Sequence, residues 1–394
     1  MPMKGARMKS TPAARAALRF VLMMGIVNLF ADFTYEGGRG VVGAFLGQLG
    51  AGGAVVGVVA GGGELAGYAI RSLAGALADR TGRYWIEVWA GYAINMLCVP
   101  ALALVGAWPA AAGLVVGERV GRGIRKPVMS AIIAQAGRDM GSHGFAFGLN
   151  EFLDQLGATV GPLVVALAVA RSGGFRMGFA VLIVPAVLTL LALIPANALG
   201  RHLVPQPSDA NEPPLRDPVA FRRYAIGGAL MAAGFVDFAL IAFRFQRDHI
   251  AGAAAISVWF AVAMLVAALA APLLGKLYDR IGAPVIGIAV LVSAFATPMA
   301  FLGAGPVALA GAALWGFGTA VVDALLLALI SSVITKRRGA TTFGLFDLIF
   351  GVAWFAGSAV AGVLLDRSVL ALAIFSAALQ LAAIPFFIRR SSIS

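Results

Sequence analysis

Asp32 and Glu36 stand four residues apart in a long apolar stretch, and Arg39 follows three residues later. On a helix this spacing puts both carboxyls on one face, with the guanidinium one further turn along it. Glu64, Tyr68 and Arg71 form a second stripe, Glu118 and Arg119 are neighbours, and Glu151 and Asp154 are three apart. Asp237, Asp323 and Asp347 are acids set in apolar surroundings. All lie in runs suited to the interior of a bilayer, where one charge costs about 2.5–3.5 kcal/mol on insertion scales. Side chains that costly either neutralise one another or handle ions and solutes. Neutralisation would pair Glu64 with Arg71 and Glu36 with Arg39. Two carboxyls in close apposition at low dielectric cannot both ionise cheaply, so one member of Asp32/Glu36 and one of Glu151/Asp154 is expected to exchange a proton. The chemistry on offer is proton carriage and binding of a polar solute. Asp32, Glu36, Glu64, Glu151 and Asp154 are the leading candidates, Arg71 and Arg119 are their electrostatic partners, and Asp237, Asp323 and Asp347 complete the set.

The elements that must hold these groups are membrane helices. Hydrophobic residues make up 60% of the 394 and charged residues 12%, against about 25% charged in soluble domains. The mean hydropathy is +0.91. Apolar runs exceed the roughly 20 residues a helix needs to cross about 30 Å of hydrocarbon, and they lack the roughly 10-residue alternation of outer-membrane barrels. Twelve spans are expected: 17–46, 53–77, 84–105, 109–134, 142–170, 175–199, 219–246, 253–277, 284–303, 307–334, 341–365 and 369–388. Six precede and six follow the segment 201–218, which carries five prolines and reads as a linker between an N-terminal bundle, 1–200, and a C-terminal bundle, 219–394. Spans 1, 2, 4, 5, 7, 10 and 11 carry the buried acids. Spans 3, 6, 9 and 12 carry none away from their ends, as expected if every third helix faces lipid and the others enclose a water-filled cavity.

Lys and Arg concentrate in the terminal tails and the turns after even-numbered spans, which places both termini in the cytoplasm of a cell (inner) membrane protein. The basic N-terminus lacks a short core with a small-residue cleavage site and is read as leading into a first membrane helix. The net charge of +12 follows from the basic turns and suits anionic lipid headgroups rather than nucleic acid. Cys98 is the only cysteine, which excludes an intrachain disulfide. His143, His202 and His249 lack metal-ligand spacing. Gly50–Gly63 is glycine-rich but has no Lys-Ser/Thr ending, so ATP-driven transport is not expected. No cofactor is expected beyond a proton gradient. The expected partners are a small-molecule substrate and the lipid bilayer, with the chain acting as a monomer.

The halves repeat one another. Gly75-Ala-Leu-Ala-Asp79-Arg80-Thr-Gly82-Arg83 returns 200 residues later as Gly275-Lys-Leu-Tyr-Asp279-Arg280-Ile-Gly282-Ala283, each copy on a turn between two apolar runs. Phe147-Gly-Leu-Asn-Glu151 matches Phe343-Gly-Leu-Phe-Asp347 at an offset of 196, and Gly161 matches Gly357 at the same offset. Internal duplication of a helix bundle is how many secondary transporters are built. The turn needs glycine where helices stop, and Asp79 and Asp279 can cap helix N-termini across the two bundles, near Thr341 and Thr342 and near Ser142.

The paired turn resembles the loop between the second and third helices of the major facilitator superfamily, in which Gly, Asp, Arg, Gly and Arg recur in this order. The second copy has Ala283 and Pro284 at the basic end. Arg119-Val-Gly-Arg122-Gly123 looks like the Arg-x-x-x-Gly signature of span 4 in proton-coupled members. Gly157-Ala-Thr-Val-Gly161-Pro162 looks like the Gly-x-x-x-Gly-Pro element of the drug/proton antiporter branch, with Val165 and Ala166 where further glycines are usual, and close helix packing by small residues accounts for it equally. The resemblance implies an all-α membrane fold of two six-helix bundles around a cavity that opens alternately to each side. It implies transport rather than catalysis, as proton-coupled antiport that exports a small amphipathic or cationic compound. Proton-linked nutrient uptake and a membrane-embedded enzyme are the alternatives. Tyr35, Tyr68, Phe235, Phe238, Trp315 and Trp354 are candidates for an aromatic pocket.

Overall fold

The computed structural model describes residues 12–140, 143–172, 174–203, 217–282, 284–326, 329–330, 333 and 339–388. Among them it is helical throughout. Spans 1 to 5 are Pro12–Gln48, Gly53–Thr81, Tyr84–Ala101, Trp108–Met140 and His143–Ser172. Span 6 comprises Phe175–Val181 and Ile183–Gly200, span 7 Pro218–Gly234 and Phe238–Arg247, and span 8 Ala253–Ile281. Span 9 comprises Pro284–Ser293 and Ala296–Leu302. Span 10, Pro306–Ala320, runs into a π-helical turn at Val321–Leu326, and spans 11 and 12 are Gly339–Arg367 and Val369–Ile388. Eleven of these are apolar and long enough to cross a membrane. Span 4 is equally long, but Glu118, Arg119, Arg122, Arg125 and Lys126 make it too polar to qualify by composition. The expected spans are present with shifted limits; span 4 runs to Met140 instead of 134, and span 7 is broken at residues 235–237. Of the linker, residues 204–216 lie outside the described residues.

The turns carrying Gly82 and Gly282 lie on one side of the bundle, called here the hinge side. Each glycine ends its helix at positive φ, +66° and +81°, and its N–H closes the last turn onto Ala78 O (2.8 Å) and Tyr278 O (2.7 Å). L side chains rarely adopt this backbone conformation, so the repeated glycines stop the helices.

Close packing by glycine repeats between the halves. A Cβ on Gly161 would strike the backbone of Phe33, and one on Gly357 the backbone of Ala233, so spans 1 and 5 meet as spans 7 and 11 do. Gly123 against Gly67 and Gly316 against Ala263 relate spans 2 and 4 to spans 8 and 10 in the same way. Without a hydrophobic drive between helices in lipid, such contacts supply the packing. Spans 3, 6, 9 and 12 pack chiefly within their own halves and expose rows such as Ile86, Ile94 and Leu97, or Leu370, Ile374 and Leu381, suited to lipid. The inner face of span 3 carries two polar side chains, Glu87 and Asn95, both buried.

Contacts between halves gather on the side opposite the hinge turns, the far side. Gly43 of span 1 lies against Ala239 of span 7, and Gly57 of span 2 against Ser358 and Gly362 of span 11, in each case so closely that a methyl would strike the facing backbone. At the far end of that seam Asp366 of span 11 accepts from the first amides of span 2, Gly53 N (2.9 Å) and Ala54 N (2.8 Å), and is bridged by Arg247 at 3.5 Å. A carboxylate on two amides at a helix N-terminus meets both the orphan donors and the helix dipole.

Candidate functional site

Span 4 carries most of the cations and neighbouring spans supply their acids. Arg119 is 4% exposed and reaches Glu64 of span 2 at 3.3 Å and Glu118 of its own helix at 3.6 Å. Asn95 of span 3 donates to Glu118 Oε1 at 2.7 Å. Arg125, also buried, reaches Asp32 at 3.6 Å and Asn28 Oδ1 at 3.4 Å, and Tyr92 donates to the same Asn28 oxygen. Glu36 pairs with Arg39 at 3.4 Å, as the helical spacing requires.

The expected pair of Glu64 with Arg71 does not form. Seven residues separate them, about 10 Å along a helix, whereas Gly63 and Gly67 let span 4 approach so that Arg119 lies beside Glu64. Arg71 instead crosses between the halves to Asp347 at 3.6 Å and lies over the Tyr68 ring at 4.6 Å. The side chain of Glu151, the match of Asp347 at the 196 offset, lies outside the described residues, as do those of Asp79 and Asp279 and the caps expected near Thr341, Thr342 and Ser142.

A cavity of about 390 Å³ lies in the hinge-side part of the first half, between spans 1, 4 and 5. Asn28 and Asp32, Arg122, Arg125 and Lys126, and Asn150 and Asp154 line it, with Met129, Ser130 and Ile133. Arg125 and Lys126 fall outside the expected site set, and Arg122 enters it only through a motif. Their spacing on one helix, three and four residues after Arg122, is the signal that places all three on one face. Tyr35 OH accepts from Arg122 at 2.6 Å, and the same ring lies 4.2 Å from Arg122, 5.0 Å from Arg119 and 5.9 Å from Arg39.

The second half is aromatic where the first is charged. Phe235 stacks on Trp315 at 5.6 Å and meets Trp354 edge-on at 5.5 Å, and Phe350 links Trp354 to Tyr68. Phe238 packs against Trp315 at 5.1 Å. Arg39 joins the two regions by lying 5.5 Å from the Trp315 ring. Asp237, an expected proton or solute carrier, instead caps the second part of span 7, accepting from Ala239 N at 2.9 Å where the helix is broken. Two carbonyls of the break are also met: Trp315 donates to Val236 O (2.8 Å), and Ser376 (2.6 Å) and Gln380 (3.3 Å) donate to Gly234 O. Asp237→Ala removes the cap and is expected to cost about 1 kcal/mol, read as a lower Tm of the purified protein; an unchanged Tm would refute the capping role. Asp323 is exposed on the π-helical turn, with no salt bridge among the described residues.

Gly157 and Gly161, the antiporter-like element with Pro162, abut Leu29 and Phe33 of span 1 and are fully used in packing. Asp366 was absent from the expected set. Its signal was an Asp-Arg pair at a helix end, Asp366-Arg367, like Asp79-Arg80 and Asp279-Arg280.

Repeated halves of membrane helices, sealed on one side around buried ion pairs and a polar cavity, define a multi-pass membrane protein of the secondary-transporter class. Residues 22–358 match the Major Facilitator Superfamily, and the chain belongs to that family. It is 34% identical over 392 residues to an uncharacterized protein of Mycobacterium tuberculosis and, to the same extent, to one of Mycobacterium bovis, covering 96% of this chain and 94% of each relative. Solved structures share the fold. They include the nucleoside transporter NupG (TM-score 0.74, 15% identity, 93% of this chain and 100% of that one) and the peptide transporter POT (0.75, 15%, 96% and 98%). A bacterial homolog of the human lysosomal transporter Spinster in an inward-facing, unoccupied conformation is similar as well (0.71, 15%, 98% and 100%).

Proposed function

We propose that this chain moves a small organic solute across the cell membrane by alternating access, coupled to protons through Asp32 and Arg125. One observation carries this reading: an ion pair between two helices, at mid-span depth, forms part of the wall of a polar cavity. A carboxyl so placed can be reached by water, and its proton occupancy decides whether Arg125 has a counter-charge. Closure of the far side by Gly43, Gly57 and Asp366 corresponds to the state in which the cavity serves the hinge side. The basic turns favour the cytoplasm for that side. Antiport of an amphipathic or cationic compound rested on the Gly157–Pro162 element, whose glycines packing against span 1 explains. The sense of coupling then turns on the charge of the solute.

Asp32→Asn should abolish solute accumulation driven by a pH gradient in proteoliposomes while leaving downhill exchange. Accumulation that persists with unaltered pH dependence would exclude Asp32 as the coupling carboxyl.

A further inference from the structure

We propose that the solute is an organic anion, its acid group held by Arg122 and Lys126, and that it crosses together with a proton; this rests on the transporter reading above. The cavity wall carries three cations, Arg122, Arg125 and Lys126, against two acids, Asp32 and Asp154. Only Arg125 among the three lies within 4.0 Å of a carboxylate among the described residues. Arg122 is oriented by a neutral partner, the Tyr35 hydroxyl at 2.6 Å, which fixes the guanidinium without cancelling its charge. Lys126 follows one turn later on the same face and is exposed to the cavity. Two cations one turn apart, neither in direct contact with a carboxylate among the described residues, leave donors free to bind a carboxylate or phosphate from the cavity. Met129 and Ile133 continue the same face and supply an apolar wall for the body of the solute.

The coupling follows from the groups facing Asp32. These are Arg122, Arg125 and Lys126 from span 4, Asp154 from span 5, Tyr92 from span 3 and Glu36 on its own helix. A proton on Asp32 leaves Arg125 without its partner and makes the wall more positive by one charge. An anion then binds more favourably, so proton and solute load together, and each lowers the cost of carrying the other through the closed state. A cation would meet the opposite trend.

The test uses the full-length purified protein and matched probes that differ in charge alone: benzoate, benzamide and benzylamine; hexanoate, hexanamide and hexylamine; with inorganic phosphate as the free-ion arm. The acids should raise the Tm saturably, while their amides and amines should not. Their affinity should fall about tenfold in Arg122→Gln and in Lys126→Gln, survive in Arg122→Lys, and be unchanged in Arg201→Gln on the exposed surface. Stabilisation by the amines or amides, by no acid, by phosphate alone, or by acids equally in both Gln variants would overturn the proposal. In proteoliposomes, adding a stabilising acid should alkalinise the outer medium faster than in protein-free liposomes, as acid and proton enter together through the protein, and a rate no faster than the protein-free one, or acidification, would refute co-transport. Counterflow separates the two layers of argument. Counterflow of the amines alone leaves transport standing and removes the anion site, whereas acids that bind without counterflow leave the site standing and remove transport.

Discussion

Gly57→Ala is expected to hold the protein with its far side unsealed and to stop transport. The added methyl would strike the Ser358 carbonyl oxygen and come within 3.0 Å of Gly362 Cα. Both are backbone atoms of span 11, and no rotamer change can move them. Overpacking of this kind costs about 1–3 kcal/mol, and under the proposed alternating access it falls only on the sealed state, in which the two spans meet. The equilibrium between states should therefore shift by about five- to 150-fold. Spin labels at Gln48 and Ser368, exposed at the far-side ends of opposite halves, should report longer distances and the loss of the short one. Gly113→Ala is the control, since nothing lies within 4 Å of that position, and alanine there favours the helix by up to about 1 kcal/mol. If the label distances in Gly57→Ala match those of the parent, the seam of spans 2 and 11 is not the seal.

Arg119→Gln should be among the most damaging single changes in the chain. It leaves Glu64 and Glu118, buried on separate helices, without the guanidinium that lies 3.3 Å and 3.6 Å from them. Removing one partner of a buried pair typically costs about 3–5 kcal/mol, because the remaining charge has nowhere to go. A sharp drop in Tm and in folded yield is expected. The rescue is specific: Glu64→Gln and Glu118→Gln added to Arg119→Gln should restore most of the Tm, whereas Arg80→Gln, on the exposed hinge, should do little by itself. A triple variant no more stable than Arg119→Gln alone would mean that the network does not hold span 4 in place.

The fold was legible because its signals are long or repeated. Spans of about 20 apolar residues fix helix type, and the turn at Gly75–Arg83, copied at Gly275–Ala283, fixes the duplication. The acids were legible as well, since a charge in an apolar run stands out. Their partners were not. Periodicity places residues on a face of one helix, so it finds Glu36 with Arg39, yet it cannot say which neighbouring helix approaches. Glu64 went to Arg119 because Gly63 and Gly67 admit span 4, a fact of packing between helices. Asp237 looks like a carrier because a break in span 7 is invisible to hydropathy; the stretch from Pro218 to Arg247 is apolar enough overall to pass as one unbroken span. The cations at Arg122, Arg125 and Lys126 are legible by their spacing on one face of span 4, although that spacing does not say which acids face them.

Span 4 also bears on how the protein is made. Glu118, Arg119, Arg122, Arg125 and Lys126 fall within nine consecutive positions, and at about 2.5–3.5 kcal/mol for each charge near the centre of a helix the segment cannot leave the translocon for lipid by itself. Its first partner is already present when it emerges: Asn95 of span 3 awaits Glu118, while Asp32 and Glu64 in spans 1 and 2 await Arg125 and Arg119. Insertion of span 4 is thus conditional on the three helices synthesised before it, and a nascent chain lacking those acids should stall at the membrane or be discarded before the second half is translated.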